Sequence, residues 1–226
     1  MNKFKYLATA LIAIVCFGLQ QAKADNSTFY LTTSNSPTYQ GINMIQVSIT
    51  TNGTNDATIK FTSQTANVGG QNYIFLMSDG GAAAVNASAT SSINNISFTQ
   101  VAGGGFNAAS FTAWTNQNAD GFGSFSNGVD NSSGFDVAVN SITFHLINSS
   151  GVWGLAGSVL TPNAAGALAA SHIFVTLAPG AKANGAVFTG YAANGGAVNV
   201  PDGGTTVTLL GMALGALGIV RRYLTS

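Results

Sequence analysis

Ile45-Gln46-Val47-Ser48-Ile49-Thr50 alternates apolar and polar side chains without a break, and Ala57-Thr58-Ile59-Lys60-Phe61-Thr62 repeats the pattern after Asn52-Gly53. Period-two alternation places one set of side chains on one face of an extended chain, the signature of a half-buried strand. Asn-Gly supplies two residues that tolerate positive φ, so the two segments form a candidate β-hairpin. Tyr73 to Met77 and Ile173 to Leu177 are continuous apolar runs, as in strands covered on both faces. Ile96-Ser97-Phe98, Phe135 to Val139, Ile142 to Leu146 and Val187 to Tyr191 complete a set of about eight to ten short strands. Asn140-Ser141 breaks the phase between two of them, which predicts a bulge or tight turn there. Strands of this length separated by polar turns predict an all-β chain: a single β-sandwich or jelly-roll-like domain over residues 25–199.

Composition agrees. Of 226 residues, 46% are apolar and only 6% charged; every acidic residue is Asp, and Gly occurs 28 times. The Glu/Lys/Arg decoration of long amphipathic helices is absent, so such helices are not expected. Only Pro162 to Ser171 reads as a short helix. Gly103-Gly104-Gly105, Ala82-Ala83-Ala84 and Asn116 to Gly134 read as loops. The single cysteine, Cys16, lies in the N-terminal apolar run, so the exported domain is expected to have neither disulfides nor thiolate metal sites.

Both ends carry addresses. Lys3 and Lys5 precede an apolar run from Tyr6 to Leu19, and Ala22-Lys23-Ala24 places small residues where signal peptidase reads them. Residues 1–24 therefore read as a secretory signal helix, with Asp25 as the mature N-terminus. At the other end, Val200-Pro201-Asp202-Gly203-Gly204 leads into the apolar stretch Val207 to Val220, followed by Arg221-Arg222. Thr205 to Leu224 reaches the roughly 20 residues of a membrane span, and the stretch has no polar face. Lys3/Lys5 and Arg221/Arg222 are expected to stay cytoplasmic by the positive-inside rule, which puts everything between them outside.

This tripartite tail of motif, apolar helix and basic stop resembles the PEP-CTERM class of sorting signals, and Val200 to Gly204 is similar to its VPDSG-CTERM variant, with Gly203 where the variant's name has Ser. The resemblance implies recognition by an exosortase, a membrane transpeptidase-like enzyme, then removal of the helix and release or attachment at the cell surface. The segment from Gly134 to Gly195, with Ser171-His172-Ile173-Phe174-Val175 and Thr189-Gly190-Tyr191, is similar to the body of many such exported proteins; that implies a fold and no activity.

Chemistry-bearing residues are few. His145 and His172 are the only histidines, with Asp136 as a candidate neighbour, but no Gly-x-Ser-x-Gly elbow supplies a nucleophile. Asp120, Asp130 and Asp136, with Asn116, Asn118, Asn127 and Asn131, form an oxygen-rich stretch in which a hard cation such as calcium is conceivable, without EF-hand spacing. Trp114, Trp153 and Tyr191 are the candidate sugar-contacting aromatics, with core packing as the plain alternative for each. Between residues 25 and 200, Lys60 and Lys182 face six Asp, which argues against nucleic acid as a partner. The sequence thus predicts a non-enzymatic, exported surface or matrix protein without catalytic residues, cofactor or resident metal. Its expected partners are signal peptidase, an exosortase-like enzyme and the membrane before processing. The alternative is a carbohydrate-binding module for extracellular polysaccharide, ahead of an exported hydrolase using His145, His172 or Asp136.

Overall fold

A computed structural model describes residues 24–131, 137–178 and 180–195. The expected signal sequence and the sorting tail, Val200 to Gly204 and Arg221-Arg222 included, lie outside these residues.

Twelve antiparallel strands run β1 (Asp25–Leu31), β2 (Thr33–Ser34), β3 (Ile45–Thr51), β4 (Asp56–Val68), β5 (Gln71–Ser78), β6 (Ala83–Val85), β7 (Ser91–Gln100), β8 (Phe111–Ala119), β9 (Gly123–Asn131), β10 (Ala138–Asn148), β11 (Ala169–Leu177) and β12 (Phe188–Ala193). The hairpin predicted around Asn52-Gly53 is β3–β4, with Ile49 opposite Ile59 and Gly53 at φ 68°. The alternation does what it predicts: Ile45, Val47, Ile49 and Thr51 are buried and the residues between them are not. The apolar run at Ile173 belongs to a strand buried along nearly all its length. It lies between β12 on one side and β5 and β6 on the other.

The strands form one hydrogen-bonded network rather than two separate sheets. Long β4 is the reason: its first half pairs with β3 and β10, its second half with β5. β1 pairs with β3, while β2, one residue further along the chain, pairs with β12. The chain itself, not a hydrogen-bonded ladder, therefore links the two ends of the path β3-β4-β5-β11-β12, and β1 has β3 as its one strand partner among the described residues. Inside lies one apolar cluster that includes Leu31, Val47, Ile59, Phe61, Phe75, Phe144, Ile173 and Val175.

Four expectations are corrected. Pro162 to Ser171 contains no helix: a turn at 164–166 leads into β11 from Ala169, because its alanines pack flat against other small residues in a second apolar cluster. Ala82 to Ala84 is not a loop, since Ala83–Val85 is a buried strand between β9 and β11. Asn116 to Asn131 is mostly the β8–β9 hairpin, its polar residues serving an exposed strand. Ala138-Val139 and Ile142 to Leu146 lie on one strand, Ala138–Asn148, not two, while Phe135 and Asp136 lie outside the described residues; the irregularity foreseen at Asn140-Ser141 appears as a register shift between Val139 and Ser141.

Candidate functional site

A group of titratable side chains, Asp79, Asp130, His172 and Tyr191, surrounds the turn Ser78-Asp79-Gly80-Gly81 between β5 and β6. Gly80 and Gly81 take φ of 77° and 99°, a backbone that glycine adopts without Cβ strain. Three amides converge on one carboxylate oxygen: Asp130 Oδ1 on β9 accepts from Gly80 N at 2.7 Å, Gly81 N at 3.1 Å and Asn131 N at 2.7 Å. From the other side, the Tyr191 hydroxyl donates to the Gly80 carbonyl and His172 Nδ1–H donates to the Asp79 carbonyl. The Tyr191 ring lies over the imidazole at 4.9 Å. Cross-strand register explains the juxtaposition, because His172 on β11 is directly opposite Tyr191 on β12.

Burial sets the protonation states. It pushes the His172 pKa below its ordinary value, so the neutral imidazole prevails, with Nδ1 as donor. It raises the Asp79 carboxyl, which is 3% exposed. The Ser78 hydroxyl lies 3.0 Å from Asp79 Oδ1 and 2.8 Å from the Val137 carbonyl. The hydrogen bond from Ser78 to the carboxylate works against that rise without cancelling it. Burial, with the carboxylates of Asp130, Asp120 and Asp79 adding to it, pushes the Tyr191 phenol up to about 12. The arrangement is a clamp that locks a glycine turn with hydrogen bonds from three strands. Asp79, which the sequence reading passed over, was signalled only by Asp-Gly-Gly following an apolar run.

The other expected site residues are dispersed. His145 Nδ1 lies 2.9 Å from both Asp56 carboxylate oxygens, a half-exposed pair between β10 and β4 far in the chain from His172. Asp136 lies outside the described residues. Trp153 is a core residue, 3% exposed, with its indole N–H donating to the Leu146 carbonyl at 2.8 Å. Trp114 and Tyr191 instead flank the second cluster, built on Ala84, Phe122, Phe125 and Ala170, so the three aromatics do not share one platform. Among the oxygen-bearing residues of 116–136, Asp130 is committed to the turn, and Asn127 is 2% exposed within its own hydrogen bonds to Ser91 and Ser126. Asn131 accepts from Ser110 N. Among the described residues, no group of three or more His, Cys, Asp or Glu side chains is arranged to hold a metal ion.

A neutral cleft of about 500 Å³ opens on the β6–β7 connection and the β8–β9 hairpin, lined by residues including Ser88, Thr90, Ser91, Thr115, Asn116 and Asn127.

Comparison with known proteins bears on the tail. The family model described as the VPDSG-CTERM motif matches residues 199–224, spanning both Val200 to Gly204 and Arg221-Arg222. Those residues are a VPDSG-CTERM motif. The motif is consistent with a C-terminus of the PEP-CTERM, exosortase-sorted type, and it implies export, surface association and processing by an exosortase-like enzyme. No curated protein and no solved structure shows a significant match. Among the described residues, no helix is long and apolar enough to cross a membrane; the VPDSG-CTERM segment lies beyond them.

Proposed function

We propose that this chain is a non-enzymatic structural or interaction protein of the cell surface or extracellular matrix. In this reading, signal peptidase cuts after Ala24, the apolar helix within 205–224 holds the precursor in the membrane, and an exosortase-like transpeptidase processes it at Val200 to Gly204. The observation that carries the proposal is the VPDSG-CTERM match at 199–224. A role without catalysis is supported by how the titratable groups are used: Asp130 holds backbone amides, His172 holds a peptide carbonyl, and His145 pairs with Asp56. The low charge and the Asn/Ser/Thr/Gly surface suit packing within a hydrated polysaccharide layer.

Mass spectrometry of the protein from native envelope and medium fractions tests this by reading both termini. A start at Asp25 and an end within 200–204 are expected. Retention of Ser226 in the envelope product would overturn sorting by cleavage. Asp202→Ala, within the motif, is expected to accumulate the uncleaved precursor, visible as a larger mass in the membrane fraction.

A second reading, a carbohydrate-binding module, is favoured by one observation: the uncharged polar cleft beside the β8–β9 hairpin.

A further inference from the structure

We infer that the cleft between the β6–β7 connection and the β8–β9 hairpin is a binding site for a neutral glycan; the inference rests on the carbohydrate-binding reading and gives it a location distinct from the aromatic residues. Its lining is Ala87 to Ser91, Thr115, Asn116, Ser126 and Asn127. None of these side chains is charged, and hydroxyls and carboxamides dominate. Such a lining lacks the cation that phosphate or carboxylate recognition requires. It matches a polyhydroxylated ligand, whose hydroxyls both donate and accept as Ser, Thr and Asn do. The volume of about 500 Å³ falls in the range of small-molecule sites.

The floor is built before any ligand arrives. Buried Asn127 accepts from Ser91 Oγ at 2.9 Å and Ser126 Oγ at 3.0 Å, and its Nδ2 donates to the Ser91 carbonyl at 3.0 Å. Ser126 Oγ in turn accepts from Ala87 N at 2.8 Å, which ties the β6–β7 connection to β9. The rim is different in kind. The side chains of Thr90, Thr115 and Asn116 are exposed and make no hydrogen bond to another described residue, so their polar groups face solvent. Asn116 also departs from the β8–β9 ladder: pairing passes from Thr115–Asn127 to Gln117–Phe125, and Asn116 sits at φ 54°. A non-glycine residue held in the left-handed region within a strand is strained, and strain of this kind gathers where a side chain must be re-aimed for function. A fixed polar floor under a solvent-facing polar rim is a preorganised site.

The test is calorimetric titration of the full chain, in a detergent whose headgroup contains no sugar, with cellotetraose, mannotetraose, chitotetraose and the anionic tetragalacturonate. At least one neutral tetrasaccharide is expected to bind, and more tightly than tetragalacturonate. Asn116→Gly, which relieves the strain while removing the carboxamide, and Thr115→Val, which keeps the β-branched shape, are each expected to weaken binding about tenfold, the scale of one lost hydrogen bond. Unchanged far-ultraviolet circular dichroism and melting temperature would exclude misfolding as the cause. Neutral-glycan binding that survives both substitutions would overturn the cleft while leaving the module reading intact. Absence of binding to every tetrasaccharide would overturn the module reading with it, and preference for tetragalacturonate would overturn the neutral-ligand assignment.

Discussion

Gly128 offers a sharp test of the packing described above. It sits mid-strand in β9 opposite Trp114 on β8 and Ala84 on β6. A Cβ there would lie 2.2 Å from Trp114 Cζ2, 2.5 Å from Trp114 Cε2 and 2.6 Å from the Ala83 carbonyl oxygen, where ordinary contact begins at 3.4 Å. The indole can move; the carbonyl belongs to a buried strand held between two others and cannot easily retreat. Gly128→Ala therefore forces overpacking at a site with little slack, at about 3 kcal/mol, the upper part of the range for such changes. For a domain of this size about 2–4 °C is lost per kcal/mol, so the melting temperature is expected to fall by about 6–12 °C. Scanning calorimetry of the parent, Gly128→Ala, Trp114→Ala and the double variant measures it. Part of the clash is with the indole, so Gly128→Ala must cost less in the Trp114→Ala background, with the remainder assigned to the carbonyl. A melting temperature within about 2 °C of the parent, or an identical cost in both backgrounds, would refute the account.

Other outcomes follow from the clamp and the core. Asp130→Ala removes the acceptor of three backbone amides and is expected to cost about 3 kcal/mol by urea unfolding, with Asp130→Asn costing less because one acceptor oxygen survives. His172 is held below its ordinary pKa of 6.5 by burial, so below about pH 6.5 the unfolded chain takes up a proton that the folded chain refuses. Stability is therefore full above that pH and declines as the pH falls beneath it, and His172→Gln should flatten that slope in denaturant titrations at pH 5 and 7.5. Tyr191, raised to about 12 from 10.0, contributes stability that is present below pH 10 and lost as the pH rises through 12. An ultraviolet phenolate titration should show a late titration near pH 12 that disappears in Tyr191→Phe, while that of Tyr39, also raised by burial, remains. Trp153→Ala is expected to cost about 3–5 kcal/mol, whereas Trp153→Phe, which loses chiefly the bond to Leu146, costs about 1–2 kcal/mol.

Local pattern carries a great deal in this chain. Ile45 to Thr50 and Ala57 to Thr62 dictate strands because one face of each must leave water, and Asn52-Gly53 dictates the turn because few other pairs accept its backbone. The sorting tail was legible for a similar reason: a short motif, an apolar stretch and a basic stop are each written in contiguous residues, and the family match falls on the same stretch. Tertiary structure decided what no contiguous pattern encodes. Ala83-Ala84 and Ala169-Ala170 lie in strands because small residues meet across β6, β11 and β12, and the β6–β11 pairing joins segments over eighty positions apart. The split of β4 between two sets of partners, and the pairing of β2 with β12, arise from register between distant strands. The same holds for the sites. Trp153 and Trp114 are alike in sequence, yet one is sealed by the Leu146 carbonyl and the other rests on Gly128. Asp79, Asp130, His172 and Tyr191 converge only because cross-strand pairing sums contacts that sequence distance hides. Address and strand character are properties of single segments and are written in the sequence; which polar groups meet, and which are left facing a cleft, depends on long-range pairing that only the folded sheet supplies.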